Sequence, residues 1–310
     1  MSKFVDSTIG HAIGDAMGVP IEFEPREVLF KKPVTKMLGY GSHDVPEGTW
    51  SDDTSMLIAT IDSIINKSCF DFKDIMLNFY YWLKENKFTA VGEVFDAGHT
   101  CVQSIINFSK GYELSECGQN DLYSNGNGSL MRILPVALYS YKKNLEEKEV
   151  IEITNKLSSL THAHEISRLG CYLFVRYVMF LLSGMSKNQA YFELQKIDLN
   201  SFSKESQEVY KRILKDDISK LSVDKIKSSG YVVDTLEASL WVILKSSNFR
   251  ESIIGAINLG GDTDTVGAIT GSMAGIIYGY DDIPEVWLKV LKSKDYLVNL
   301  AENFEVKLQE

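Results

Sequence analysis

Two short acidic clusters carry the chemistry this sequence offers. Gly48-Thr49-Trp50-Ser51-Asp52-Asp53-Thr54 lies near one end of the chain, and Gly260-Gly261-Asp262-Thr263-Asp264-Thr265 near the other. Each crowds carboxylates and hydroxyls into a few residues, and each opens an apolar helical pattern. Helix capping accounts for part of this. Ser, Thr and Asp accept from the free N–H groups of a first turn and favour the positive end of the helix dipole. A cap needs one such side chain, however, and Asp-x-Asp-Thr supplies three. Folding that joins the clusters would gather four carboxylates in a small volume. Such charges repel strongly away from water unless a cation lies among them. An oxygen-only donor set suits hard ions such as Mg²⁺ or Mn²⁺ rather than zinc. The expectation is a two-metal hydrolytic site.

The elements that must position these clusters read as helices. The spacing predicts helices over residues 5–20, 53–66, 71–86, 92–109, 130–142, 147–160, 164–184, 187–195, 204–215, 232–246, 249–258, 264–279 and 284–293. In the second of these, Leu57, Ile58, Ile61, Ile64 and Ile65 share one face. Residues 23–47, with Pro25, Pro33 and Pro46, read as a surface loop. Residues 110–129 read as a polar loop rich in Gly and Asn, and residues 216–230 as an irregular excursion. Glycines recur every fourth residue in two helices, at Gly10, Gly14 and Gly18 and at Gly267, Gly271 and Gly275. A glycine inside a helix costs about 1 kcal/mol against alanine, so the stripes require an offsetting gain. Close helix–helix approach is that gain. Both helices are therefore expected deep in the core, packed against each other. That pairing would deliver Glu22 and the second acidic cluster to one cleft. With no repeat and no Gly/Ser linker, the chain reads as one all-α domain over residues 1–310.

Composition sets outer bounds. The 310 residues are 45% hydrophobic and 24% charged, enough for one large core or two modest ones. A formal net charge of −10 leaves no basic footprint for nucleic acid or an anionic membrane. Cys69, Cys101, Cys117 and Cys171 form no C-x-x-C pair and read as reduced, packed thiols. Met1 to Asp6 has no apolar signal region, and the apolar run over residues 172–182 contains Arg176. The expectation is a cytoplasmic enzyme acting as a monomer.

Six motifs, in order along nearly the whole chain, resemble those of the ADP-ribosylglycohydrolase family. They are Gly14-Asp15-Ala16-Met17-Gly18-Val19-Pro20-Ile21-Glu22; Trp50 to Thr54; Asn125-Gly126-Asn127-Gly128-Ser129-Leu130-Met131-Arg132; Leu160-Thr161-His162-Ala163; Gly230 to Ala238; and Gly261 to Gly267. The resemblance implies a compact all-α fold with a dinuclear Mg²⁺ or Mn²⁺ centre in a cleft. It implies cleavage of the bond joining C1″ of ADP-ribose to a protein side chain or small acceptor. It also implies metal ligands at Ser51, Asp52, Asp53, Asp262, Asp264 and Thr265, with Asp264 bridging, and a glutamate near the metals at Glu22. The family often has Thr where this chain has Ser51; both supply a hydroxyl.

The chemistry fits that resemblance. Carboxylates near C1″ stabilise an oxocarbenium-like state. Glu22, or one of the metal-site aspartates Asp53 and Asp264, is the candidate base. The Asn125–Ser129 loop is the candidate diphosphate cradle, since glycines let backbone N–H groups approach phosphate and a helix starting near Leu130 would favour an anion. Tyr123 precedes it as a stacking candidate, and His162 matches a pocket histidine. Arg132 is placed either on phosphate or in a buried ion pair. Asp15 is expected to brace the site through a hydrogen bond. The acceptor-selecting loops are expected at 24–47 and 110–124. Three alternatives remain at this stage: a dinuclear metal phosphohydrolase, a non-catalytic ADP-ribose-binding member of the same fold, and an immunity protein against an ADP-ribosylating toxin.

Overall fold

A computed structural model, which describes residues 1–309, is built from helices; among the described residues the only β pairing is two isolated bridges, Gln119–His162 and Gly126–Tyr231. At its centre lie the first helix, Lys3–Gly18, and the helix Thr263–Tyr278, both buried along nearly their whole length. They run antiparallel. A β-carbon added at Gly14 would collide with the Gly267 carbonyl, and one at Gly10 with the Gly271 carbonyl. The two glycine stripes therefore pack against each other, as their spacing predicts. Ile9, Ile13 and Met17 of one helix and Ile269 and Met273 of the other belong to a single continuous core.

The antiparallel pairing sets the position of the site. The first helix ends where the other begins, and Thr263 Oγ1 donates to Gly18 O over 2.8 Å. Beyond that junction the chain is stitched again, with Phe23 N donating to Gly261 O at 2.7 Å and Gly261 N to Glu24 O at 3.0 Å. The helix Asp52–Lys67 meets the same corner. Asp15 Oδ1 accepts from Ser51 N at 2.8 Å, and Asp15 Oδ2 from Thr54 N and Thr54 Oγ1 at 3.0 and 2.6 Å. Asp15 is the brace the sequence suggests.

Several expected elements are corrected. The helix expected from residue 92 starts at His99, with Gly98 at its N-cap. Gly92 and Asp96 both hold positive φ, 83° and 45°, which an α-helix does not accommodate. The helix expected at 130–142 starts at Leu134, after a 3₁₀ turn over Leu130–Arg132. Pro135 in its first turn lacks an N–H, which suits a helix start and not an interior. The 204–215 pattern splits into Lys204–Val209 and Lys211–Lys215, and a short helix Arg26–Lys31 interrupts the 23–47 loop. The helix expected over 284–293 spans only Glu285–Val290, and a further helix, Lys294–Lys307, follows it unanticipated. No helix among the described residues is long and apolar enough to cross a membrane.

Candidate metal centre and glycine loop

The two acidic clusters meet at the junction of the central helices. Ligand atoms of Asp15, Asp53 and Asp264 lie within 4.8 Å of one another, and so do those of Glu22, Asp262 and Asp264. Asp264 belongs to both groups, the position a bridging carboxylate would hold. Thr265 Oγ1 donates to Asp53 Oδ1 at 3.3 Å, which joins the clusters directly.

Capping and ligation divide between the two segments. Ser51 is the N-cap of its helix, its Oγ accepting from Asp53 N at 3.3 Å. Asp262 occupies the N-cap position of the Thr263–Tyr278 helix yet makes no side-chain capping bond. Its Oδ2 accepts from Asn127 Nδ2 at 3.0 Å, and its buried Oδ1 has no partner; Asp53 Oδ2 is also buried and unpartnered. Buried carboxylate oxygens without donors are costly, and a cation satisfies them. With hydroxyl and carboxylate donors alone, the residues fit a hard divalent ion.

The electrostatics point the same way. Burial drives the Asp53 carboxyl well above its ordinary range, and the charges of Asp15, Asp52 and Asp262 push it further. Asp264 is raised by burial and then by Glu22, Asp262 and Asp53; Asp52 by burial and then by Asp96, Asp15 and Glu22. Burial lifts Asp15 to about 7 against the pull of its hydrogen bonds. A dication among these groups would offset both burial and mutual repulsion.

A cleft of about 270 Å³ opens beside the cluster. Glu22, Asp52, Asp262 and Thr265 line it together with Gly126, Asn127, Gly128 and His162. The loop carrying the glycines is held from behind. Asn127 N donates to Gly230 O at 2.9 Å and Val232 N to Asn125 O at 3.0 Å, so the loop is pinned to the start of the Val232–Lys245 helix.

The structure does not bring every expected residue to this cleft. Tyr123 is 96% exposed and lies outside the lining, because it sits on the outer turn of its loop. Asn125 and Ser129 lie behind the cradle: Asn125 Oδ1 accepts from Ser167 Oγ at 2.9 Å, and Ser129 Oγ accepts from Ser158 Oγ at 2.9 Å. Arg132 is fully buried and has no ion-pair partner among the described residues; it donates to Leu157 O and Thr161 Oγ1. The anion-favouring helix start expected at Leu130 is displaced to Leu134. No residue of 110–124 lines the cleft, whereas Phe23 does.

Asp96 and His43 were not picked out by their sequence context. His43 Nε2 meets Glu22 Oε2 at 2.6 Å, and Asp96 completes a third group of ligand atoms with them. Glu22 is raised to about 7 by burial, against the His43 hydrogen bond, with Asp96 and Asp262 adding to the rise. Asp96 comes from the non-helical 92–98 segment, whose wall continues through Gly98, His99 and Thr100 into the cleft. A lone Asp among Val94, Phe95 and Ala97 carries no periodic signal; only Gly92 and Gly98 on either side hint at an irregular backbone.

Comparison with known proteins agrees with this geometry. The family model for ADP-ribosylglycohydrolase matches residues 1–310. The chain is 31% identical over 305 residues to ADP-ribosylarginine hydrolase Tri1 of Serratia proteamaculans, covering 97% of this chain and 78% of that protein. It is 31% identical over 291 residues to ADP-ribosyl-[dinitrogen reductase] glycohydrolase of Rhodospirillum rubrum, covering 92% and 89% respectively. A solved structure described as an ADP-ribosylglycohydrolase-related protein complex superposes with a TM-score of 0.83 at 26% identity, covering 98% of this chain and 97% of that one. Matched along its whole length in sequence, and nearly so in fold, the chain belongs to the ADP-ribosylglycohydrolase family, whose members hydrolyse glycosyl bonds.

Proposed function

We propose that this protein is a metal-dependent hydrolase that releases ADP-ribose from modified arginine side chains. The observation that carries the reading is the convergence of both acidic clusters beside the glycine loop, with Glu22 and Asp96 at the same cleft. Those two carboxyls lie outside the ligand set that the family resemblance implies, and acidic groups there suit a cationic guanidinium acceptor better than a neutral hydroxyl. The names of the relatives from Serratia and Rhodospirillum support the same class of substrate.

Ser51, Asp52, Asp53, Asp262, Asp264 and Thr265 would hold two Mg²⁺ or Mn²⁺ ions. The ions supply positive charge and Lewis acidity beside the ribose. Gly126 to Gly128 and His162 receive the diphosphate. Glu22 takes the proton of the attacking water: its carboxyl lines the cleft beside Asp262 and Asp264, and His43 Nε2 at 2.6 Å fixes its orientation. Asp53 and Asp264 are the next candidates for that proton. Asp52 and Asp96 line the same cleft, and their carboxylates would favour the positive charge that develops at C1″.

The test is to offer arginine-, serine- and nucleobase-linked ADP-ribose with Mg²⁺ or Mn²⁺ and to assay free ADP-ribose. Release from the arginine conjugate, lost in EDTA and restored by the metal, is expected. Release from the serine or nucleobase conjugate alone overturns the acceptor, and full turnover in chelator overturns the metal requirement.

A further inference from the structure

Arg132 is buried without an ion-pair partner among the described residues, although a guanidinium out of water without a counter-charge is expensive. Its compensation is polar and aromatic. Nη1 donates to Leu157 O at 3.1 Å, Nη2 to Thr161 Oγ1 at 2.6 Å, and the guanidinium lies 4.7 Å from the centre of the Phe79 ring. Its charge therefore remains uncancelled, directly behind the glycine loop that it follows in sequence.

Thr161 passes this arrangement forward. Its Oγ1 lies 2.8 Å from His162 Nδ1. Arg132 has no lone pair to offer, so Thr161 must accept from it. The hydroxyl keeps one proton and a second lone pair, and with that proton turned toward Nδ1 the ring nitrogen accepts. A neutral imidazole accepting at Nδ1 carries its proton on Nε2. That nitrogen has no hydrogen-bond partner among the described residues, and the ring, only 2% exposed, lines the cleft. The imidazole also lies hard against the loop: a β-carbon at Gly128 would stand 2.9 Å from His162 Cε1 and 2.9 Å from Cys101 Sγ. Glycine at 128 lets the backbone and the imidazole edge form one surface.

We propose that Arg132 acts through Thr161 as a positioning residue that holds His162 as a neutral Nε2–H donor, aimed at a phosphate oxygen received by the Gly126–Gly128 loop. The inference rests on the function proposed above only for the identity of the phosphate ligand. Burial and the Arg132 charge hold His162 down to about 3, so the ring stays neutral across the physiological range. A fixed neutral donor offers the phosphate a hydrogen bond without the desolvation cost of a second cation. The Arg132 charge acts from behind through a low-dielectric interior.

Two measurements test the proposal, ¹⁵N NMR of histidine-labelled protein and titration of ADP-ribose into the Mg²⁺-saturated protein. His162 is assigned by the resonance lost in His162→Gln. In the wild type, Nδ1 should be unprotonated and hydrogen-bonded, with the proton on Nε2. Thr161→Val should move the Nδ1 resonance and weaken ADP-ribose about tenfold, and Thr161→Ser should restore both. Arg132→Met should weaken ADP-ribose further, because it removes the charge as well as the relay. Should that variant fail to fold, Thr161→Val decides alone. A wild-type ring protonated on Nδ1, or a Thr161→Val protein with unmoved Nδ1 and unchanged affinity, overturns the proposal. A ring in the stated tautomer, responding to Thr161→Val, in a protein that binds no ADP-ribose supports the relay and overturns the function proposed above.

Discussion

Asn127 Nδ2 donates to Asp262 Oδ2 at 3.0 Å, and also to Thr235 Oγ1 at 2.9 Å. One amide thus ties the glycine loop to the acidic cluster and both to the Val232–Lys245 helix. Partners that orient a metal-ligating group are worth about tenfold to a hundredfold in metal affinity. Asn127→Ala should therefore weaken Mg²⁺ and ADP-ribose together, each by about tenfold or more. Calorimetric titration of each ligand checks this, and an unchanged Mg²⁺ affinity would show that the bond orients nothing.

The metal-free protein should lose stability as pH rises. Asp15 and Glu22 titrate near 7 in the fold, against ordinary values of 3.8 and 4.5, and Asp53 and Asp264 are raised well above 3.8, all primarily by burial. A carboxyl with a raised folded pKa contributes stability below its unfolded value and forfeits it as pH climbs through the folded one. In EDTA, melting should occur at a higher temperature at pH 5 than at pH 8. Saturating Mg²⁺ should narrow or remove the difference. Asp264→Asn should raise the melting temperature of the EDTA-treated protein at pH 8, and a melting temperature that rises with pH in EDTA would contradict the assignment.

Glu22→Gln should lower kcat by about a hundredfold or more while leaving much of the Mg²⁺ affinity, as expected for a general base. Asp96→Asn should also slow turnover, through the loss of an acidic group from the cleft wall. Single-turnover assays beside metal titrations separate these effects. An undiminished rate in Glu22→Gln would move the base to Asp53 or Asp264.

Gly14→Ala and Gly267→Ala should each destabilise the fold by about 3 kcal/mol or more, or prevent folding, because a backbone carbonyl occupies the space of the new methyl group. Gly98→Ala is the control. Nothing lies within 4 Å of its added β-carbon and its φ is −56°, so its cost should stay under about 1 kcal/mol. Chemical denaturation orders the three variants, and equal losses would remove close approach as the reason for the glycine stripe.

What the sequence made legible was what repeats or clusters. The four-residue glycine spacing announced the Gly14–Gly267 contact, and the doubled carboxylates announced the corner where Asp53 and Asp264 meet. Features without a repeat stayed hidden. Asp96 is a single acid held by a positive-φ backbone, and no pattern marks such a residue. The Lys294–Lys307 helix does have a buried stripe at Leu297, Leu300, Ala301 and Phe304. Its start is masked, since Ser293 enters in a left-handed conformation with no side-chain cap and no Gly or Pro parts it from the helix before. Tyr123 shows the converse: sequence proximity to the Gly126–Gly128 loop does not fix where a ring points, and this one is exposed outside the cleft lining.

The Thr263–Gly18 bond joins positions 245 residues apart, and this has a kinetic consequence. Closing a loop of that length costs about 5 kcal/mol of chain entropy before any contact across it is gained. During synthesis the Lys3–Gly18 helix emerges well before its partner, Thr263–Tyr278, and must wait for it. Until then the glycine face that it presents to that partner has nothing to cover it, which leaves it open to aggregation or chaperone capture. The acidic corner cannot assemble before that pairing closes. Recovery of Mg²⁺ binding should therefore be among the last signals to return on refolding, later than the bulk of the helical circular dichroism.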